Sequence, residues 1–191
     1  MKQTSSLPTS CLPHLHAGRA KSAPDAAARH ETGWIVLHTR SRQEKAVASQ
    51  LTALGVIHFL PLLRQPRCYG RHKLAVDLPL FPCYLFLHGR PEQAYEPQRA
   101  GRLAQIIAVA DQQTLDWELR NIRLALNAKA PLERHPQLSA GVRARVCSGP
   151  LRGLEGVIER RSRQNRLVLQ VATLGMAVGL DIDSNLLEPL E

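Results

Sequence analysis

The chain has 191 residues, is 44% hydrophobic and carries a formal net charge of +9 at pH 7. This length suffices for one ordinary domain or two small ones. No apolar run approaches the roughly 18 residues of a membrane-spanning helix, and the N-terminus lacks the apolar segment of a secretory signal. The four cysteines are scattered without a CxxC pair, which argues against a zinc site or a disulfide framework and indicates a soluble protein of the reducing cytoplasm.

Most of the excess positive charge lies between residues 32 and 138. A basic surface attracts polyanions, of which nucleic acid is the most obvious. The alternative is that the charge serves only solubility.

Residues 1–31 are rich in Ser, Pro, Ala and His and contain little apolar material. Such a composition predicts a disordered leader, because it cannot bury enough apolar surface to offset the entropy of ordering. A transit peptide is a less favoured alternative for the same segment.

The ordered part of the chain begins with a predicted strand at Trp34–Thr39. A helix follows, for which Ser41 is the expected N-cap and Glu44 the partner in a capping box. Gly55 suits the C-cap position, and residues 56–60 predict a second strand. The spacing i, i+4 and i+7 predicts a buried stripe on this helix, formed by Val47, Leu51 and Leu54.

Basic residues cluster at two places in this region. Arg40 and Arg42 stand where the first strand runs into the first helix. Residues 64–73 predict a hairpin whose tip turns at Gly70. The basic residues of this hairpin are Arg67, Arg71, His72 and Lys73. We interpret both groups as candidate nucleic-acid-binding residues, with a merely solvated basic face as the alternative.

Residues 79–87, PLFPCYLFL, predict a buried strand that holds two of the three Phe and one of the three Tyr. Pro79 and Pro82 place the entry of this strand at a sheet edge or a bulge, because proline lacks a backbone N–H. The aromatic residues either belong to the core or form a partly exposed patch that receives a partner.

Downstream, residues 90–104 predict a short helix and residues 105–110 the last strand of a sheet. A third helix follows, capped by Asp111 or Thr114, with Trp117 outside its buried stripe and assigned to packing. That stripe consists of Leu115, Leu119, Ile122 and Leu126. A linker follows, and beyond Gly141 short strands alternate with glycine turns, which predicts a small β-barrel.

No catalytic constellation is visible in the sequence. There is no GxSxG, no Walker loop, no HExxH and no pair of carboxylates in an apolar setting. Neither a metal nor a cofactor is indicated. The chain therefore has the characteristics of a binding protein and not of an enzyme.

Three segments carry a resemblance to a known family. Residues 80–87, LFPCYLFL, resemble the PLFPxYLFV segment of the NGN domain in the NusG family, in the form found in specialised RfaH-like paralogs. Residues 33–40 resemble the first strand of that domain, and residues 141–158 resemble a KOW motif. The order and spacing of the three segments are those of the family, and the resemblance covers residues 33–191.

The resemblance implies an α+β fold. Residues 32–127 would form an NGN domain, an antiparallel sheet flanked by helices that binds RNA polymerase. Residues 128–138 would be a linker, and residues 139–191 a small SH3-like KOW β-barrel. The disordered leader, 1–31, lies outside it. The glycines expected at tight turns of the barrel are Gly149, Gly153 and Gly156.

The resemblance also implies a function: a transcription antiterminator or elongation regulator, acting at a restricted set of operons. It would bind the clamp helices of the largest subunit of bacterial RNA polymerase and suppress pausing and termination. Arg40 would lie near the non-template DNA strand. The KOW domain would meet ribosomal protein S10 or Rho, or refold as a helical hairpin. The residues assigned to the clamp helices are Phe81, Pro82, Tyr84, Phe86 and Trp34, the last of which also suits the core.

The protein is expected to be a cytoplasmic monomer without cofactor or membrane association. One departure from RfaH is that residues 93–97 lack its His-Thr-Thr motif, which contacts the polymerase gate loop. Two alternatives stay open: a general NusG-type elongation factor that couples to Rho or the ribosome, and a KOW-containing RNA- or ribosome-binding protein.

Overall fold

The structure, a computed structural model, describes residues 32–69, 72–135, 141–160 and 165–190. The predicted leader, 1–31, lies outside the described residues. No helix of the described segments is long and apolar enough to cross a membrane. The α-helices are α1 (Glu44–Ala53), α2 (Tyr95–Arg99) and α3 (Gln112–Asn127). The strands are β1 (Gly33–Thr39), β2 (His58–Phe59), β3 (Leu62–Tyr69), β4 (His72–Pro79), β5 (Tyr84–Gly89), β6 (Leu103–Ala108), β7 (Glu133–His135), β8 (Arg143–Val146), β9 (Glu155–Arg160), β10 (Asn165–Val171), β11 (Met176–Ile182) and β12 (Leu187–Pro189).

The N-terminal domain is built on a four-stranded antiparallel sheet in the order β2-β5-β1-β6. Strand β1 is nearly continuously apolar because both of its faces are buried. Ile35 and Leu37 pack with α1 on one face, and Trp34 and Val36 pack with α3 on the other. The expected antiparallel sheet flanked by helices is confirmed, and β3 and β4 form a separate hairpin beside it.

The C-terminal domain contains six antiparallel strands in the order β12-β8-β9-β10-β11-β7. This arrangement is that of a small SH3-like KOW barrel, so the α+β fold class is confirmed. The predicted strands of this domain are present, and two further short strands, β7 and β12, join them. Strand β7 comes from the segment between the domains and pairs with β11, from Glu133 opposite Gly179 to His135 opposite Ala177.

Helix α3 lies between the two domains. Asp111 is its N-cap and accepts a hydrogen bond of 2.9 Å from the backbone N–H of Thr114. One side of the helix covers the sheet. The same apolar cluster continues into the barrel through residues such as Leu154, Leu169 and Val171. The two domains therefore share one core around α3.

The start of α1 differs from the prediction. The helix begins at Glu44, the N-cap is Gln43, and no side chain caps it. Ser41 and Glu44 therefore do not form the expected capping box. Glu44 is instead buried, and its Oε1 accepts a hydrogen bond of 2.8 Å from the backbone N–H of Cys83. This hydrogen bond stabilises the fold because the backbone N–H in the turn before β5 would otherwise be unpaired.

The predicted strand over residues 79–87 is also corrected. Pro79 is the last residue of β4, residues 80–83 form a turn, and β5 begins at Tyr84. The backbone N–H of Tyr84 donates to Phe81 O, and Cys83 adopts a φ of 67°. Pro82 fits this turn because the turn needs no N–H at that position.

One glycine of the barrel plays a different role from the expected one. Gly149 and Gly153 have φ values of 80° and 86°, as predicted for turns. Gly156 lies inside strand β9, where a Cβ atom would come within 2.7 Å of the carbonyl oxygen of Val168. It is required by the close approach of two strands and not by a turn.

Candidate binding surfaces

Most of the aromatic side chains in the segment 79–87 belong to the core. Phe81 is 2% exposed and Phe86 is fully buried, and their rings meet edge to face with centroids 6.3 Å apart. Phe81 borders a cavity of about 400 Å³ that lies between the turn before β5 and the start of β11. In this arrangement of the domains, neither ring is open to a partner.

Tyr84 and Pro82 are the members of this set that reach the surface. The Tyr84 ring stacks on the His38 ring at a centroid distance of 4.8 Å and an interplanar angle of 16°. Tyr84 is half-buried and Pro82 is exposed. Phe59, also half-buried, lies on the same face beside Phe86, and the Arg123 guanidinium sits 4.8 Å from the centre of its ring. We call His38, Phe59 and Tyr84 the aromatic strip.

Two residues of the aromatic strip, His38 and Phe59, were missed in the sequence. Both are placed by strand pairing, since His38 is opposite Tyr84 and Phe59 is opposite Phe86. A sequence signal exists only for Phe59, which is the third Phe of the chain and falls in a predicted strand. Its neighbours could not be known without the order of the strands.

Trp34 joins strand β1 to the first turn of α3. Its indole N–H donates to Asp116 Oδ1 at 3.1 Å, and its backbone N–H donates to Gln112 Oε1. The hydrogen bond from Trp34 holds the pKa of Asp116 below its ordinary value, with help from Arg120. Because Trp34 is only 8% exposed, its observed role is to hold the helix on the sheet.

Arg40 and Arg42 are exposed at the entry to α1. The backbone N–H of Arg40 donates to Arg102 O, and Arg42 adopts a φ of 63°, so the chain turns sharply between strand and helix. A largely apolar groove of about 360 Å³ is lined by Arg42, by residues 76–79 of strand β4, and by Pro82 and Cys83 of the turn before β5. The base of the hairpin β3–β4 and Arg42 therefore border the same groove.

The hairpin residues are located only by their backbones. Arg67 pairs with Leu74, residue 68 with Lys73, and residue 69 with His72, which confirms a hairpin. Arg71 lies outside the described residues. The role of the hairpin residues in nucleic-acid binding stays a prediction.

A polar network joins α3 to the barrel. Trp117 Nε1 donates to Glu155 Oε2 at 2.9 Å, and the backbone N–H of Glu155 donates to Asn121 Oδ1 at 2.8 Å. Arg145 pairs with the same carboxylate, and the Arg143 guanidinium lies 4.5 Å from the centre of the Trp117 ring. Burial alone would raise the pKa of Glu155, but the hydrogen bonds from Arg145 and Trp117 bring it below its ordinary value. Trp117, assigned to packing from the sequence, packs across the domain boundary.

The described residues contain no cluster of His, Cys, Asp or Glu side chains that could hold a metal ion. Their conspicuous features are the aromatic strip, the exposed arginines at the entry to α1 and the α3–barrel contact. These surfaces are the candidate binding features of the two domains.

Comparison with known proteins gives a family match for the N-terminal domain. Residues 32–114 match the family described as "Transcription termination factor nusG". Over these residues the N-terminal domain is therefore similar to the NusG family of transcription factors. No curated protein matches the chain.

Two solved structures show remote likeness. One is described as "Domain interaction in Thermotoga maritima NusG". It is 20% identical, with 84% of this chain and 98% of that chain covered and a TM-score of 0.45. The other, the MjSpt4:Spt5 complex in its conformation B, is 13% identical, with 83% and 97% covered and a TM-score of 0.27.

Proposed function

We propose that this protein is a specialised, RfaH-like regulator of transcription elongation that suppresses pausing and termination at a restricted set of operons. The observation that carries the proposal is the NusG match over residues 32–114. Within that domain lies the aromatic strip, a half-exposed set of rings on one face of the sheet. The proposed site of action is the cytoplasm, and the protein acts as a monomer.

The aromatic strip is the proposed contact for the clamp helices of the largest RNA polymerase subunit. Large, rigid aromatic side chains are frequent energetic centres of protein interfaces. Tyr84 offers an accessible ring, and its stacking on His38 fixes the orientation of that ring before a partner arrives. Pro82 extends the exposed surface at one end of β5. Phe86 packs against Phe59 of the strip and against Phe81, and Trp34 holds α3 on the sheet.

The exposed arginines Arg40 and Arg42 are the proposed contacts for the non-template DNA strand. Contacts between arginine and phosphate give affinity that falls with salt and carry little sequence information. Base recognition would need further side chains, for which the hairpin β3–β4, whose base lines the same groove as Arg42, is the proposed element.

The action proposed for these two surfaces is mechanical. A domain that grips the clamp and the DNA together holds the polymerase closed on its nucleic acids, and no bond is made or broken in the protein. The KOW barrel, which is β-structured in the described residues, would recruit ribosomal protein S10 or Rho.

In vitro transcription with a cognate bacterial polymerase tests the proposal. Two long templates are compared, one with and one without the upstream leader DNA of the operon that the protein controls. Read-through that requires the leader supports a recruited antiterminator. An effect on every template would instead identify a general NusG-type elongation factor.

An absence of any effect, with polymerase that is active and binds control factors, would overturn the proposal. In that case co-sedimentation with ribosomes in the absence of polymerase would identify the KOW-containing ribosome-binding protein.

A further inference from the structure

A buried arginine of the barrel faces the edge of its sheet. The Arg166 side chain, on β10, is only 7% exposed. Its guanidinium crosses Gly179 of β11 and pairs with the carboxylate of Glu133 on β7. A Cβ atom on residue 179 would meet Arg166 Nε at 2.4 Å. Only glycine at this position leaves space for the arginine side chain to reach the edge of the sheet.

The pairing of Arg166 is incomplete. Among the described residues its Nε has no hydrogen-bond partner, and the nearest carboxylate oxygen, Asp181 Oδ1, is 3.8 Å away. Burying a guanidinium is costly unless its donors are satisfied by acceptors. The arrangement therefore favours a carboxylate that can approach along the edge of β11 and accept from more than one donor.

The carboxylate that now fills this position does not belong to the barrel proper. Glu133 lies on β7, a three-residue strand of the segment between the domains, and its side chain is 70% exposed. Strand β7 covers β11 only from residue 177 to residue 179. Along the rest of β11, no described strand pairs on that side. An open strand edge is a template for an extended chain.

We propose that the β11 edge of the barrel is a docking site for an extended protein segment with an acidic side chain, and that β7 occupies this site in cis. The acidic side chain of the partner takes the place of Glu133 opposite Gly179 and pairs with Arg166. The partner's backbone adds a strand to β11. The partner can bind only after β7 has left. Its apparent affinity is therefore its affinity for the open edge multiplied by the fraction of molecules in which the edge is open. This inference does not depend on binding to polymerase.

The test is an NMR titration of the full chain with a synthetic peptide that copies residues 130–136, APLERHP. The titration follows the backbone amides of Ala177, Val178 and Gly179. The substitution Glu133→Gln weakens the binding of β7 to the β11 edge without changing the size of the side chain. We expect this variant to bind the peptide about 10-fold more tightly than the unchanged protein, since β7 loses a charge-assisted hydrogen bond and competes less well for the edge.

A second peptide, with Gln in place of Glu, examines the role of the carboxylate. The Glu133→Gln protein should bind it about 10-fold more weakly than the Glu peptide. Glu188→Gln on β12, at the opposite edge of the sheet, is the matched control and should leave binding as in the unchanged protein. Thermal unfolding of each variant confirms that it is folded.

Three results would overturn the proposal. These are equal affinity of the unchanged protein and the Glu133→Gln variant, indifference to the Glu-to-Gln change in the peptide, and absence of binding to either protein. Amide hydrogen exchange provides a second measurement. Exchange at residues 177–179 should be faster in the variant and slow again when the Glu peptide is added; exchange that the variant leaves unchanged would also contradict the proposal.

Discussion

The buried carboxylate of Glu118 accepts a hydrogen bond of 2.9 Å from the backbone N–H of Ala172, which joins helix α3 to the barrel. Burial raises the pKa of Glu118 from its ordinary value of 4.5 to about 7, although the hydrogen bond from Ala172 favours the charged form. The charge of Asp111 acts in the same direction as burial. The contact between the domains is therefore expected to respond to pH in the neutral range.

We expect the free energy of unfolding to decrease as pH rises from 5 to 8. The pKa of Glu118 is higher in the folded protein than in the unfolded chain. Its contribution to stability is thus fully present below pH 4.5 and is lost as pH rises through about 7. The loss is on the order of 1–3 kcal/mol. Urea unfolding at a series of pH values measures it.

Glu118→Gln is the control for this pH dependence. The amide oxygen can still accept from Ala172, but the group no longer titrates. The variant should lose most of the decrease in stability between pH 5 and pH 8. If its pH profile matched that of the unchanged protein, Glu118 would not be the titrating group.

Glu155→Gln should weaken the α3–barrel contact. The substitution removes the ion pair with Arg145 and weakens the hydrogen bond from Trp117. We expect a loss of about 1–3 kcal/mol in the free energy of unfolding, because the Arg145 and Trp117 donors lose a charged acceptor. Trp fluorescence during urea unfolding reports both the stability and the environment of Trp117. Glu188→Gln, on an exposed edge strand, should cost less than about 0.5 kcal/mol.

Tyr84→Ala tests the aromatic strip. It removes the ring that stacks on His38 and reaches the surface. Affinity for RNA polymerase should fall about 30-fold, the effect of losing a central aromatic contact worth about 2 kcal/mol. Tyr95→Ala is the matched control, since Tyr95 is 47% exposed on α2. Affinity for polymerase is measured by fluorescence anisotropy. Equal affinities of the two variants would show that the aromatic strip is not part of the interface.

Gly156→Ala tests the close approach of β9 and β10. The added Cβ would lie 2.7 Å from Val168 O, and a backbone carbonyl in a ladder cannot move aside without disturbing the pairing. We expect a loss of about 3 kcal/mol, at the upper end for overpacking. Gly149→Ala, where nothing lies within 4 Å but φ is 80°, should cost about 1 kcal/mol. A reversed order of the two unfolding midpoints in urea would contradict this account.

The double substitution Arg40→Ala with Arg42→Ala should weaken binding of single-stranded DNA. If both side chains contact phosphates, the slope of log affinity against log salt decreases by about 1.4, at about 0.7 for each contact with a single strand. The control is the double substitution Arg99→Ala with Arg120→Ala, which removes two exposed arginines elsewhere. Both double variants therefore have the same net charge. A decrease of similar size in both double variants would indicate a general charge effect and not a site.

Local chemistry predicted some elements well. Residue type narrowed the cap of α3 to Asp111 or Thr114, and Asp111 is the cap. Helical spacing predicted the buried residues Leu115, Leu119 and Ile122, whereas Leu126 is half-buried. The start of α1 was not predicted, because Glu44 is drawn to a backbone N–H at Cys83, 39 residues away in sequence. A capping box and a distant N–H compete for the same carboxylate, and only the packed structure shows which is chosen.

The aromatic residues show the same limit. Their concentration in residues 79–87 was visible in the sequence, but their exposure depends on what packs over the sheet. Phe81 and Phe86 are buried, whereas Tyr84 stays accessible beside His38. The barrel strand β7 was assigned to a linker because three residues with one partner strand leave no periodic pattern.

The sequence by itself determined the class of the protein: an NGN-type domain followed by a small β-barrel, with a basic surface and without a catalytic motif. The small β-barrel and the basic charge follow from composition and periodicity, and the NGN-type domain follows from the resemblance of three short segments to the NusG family. All of these signals are local along the chain. The tertiary structure alone decided which aromatic rings are exposed, how Glu118 is buried, and which strand pairs with β11. Those features depend on contacts between residues far apart in sequence, where burial and strand order, and not residue type, set the outcome.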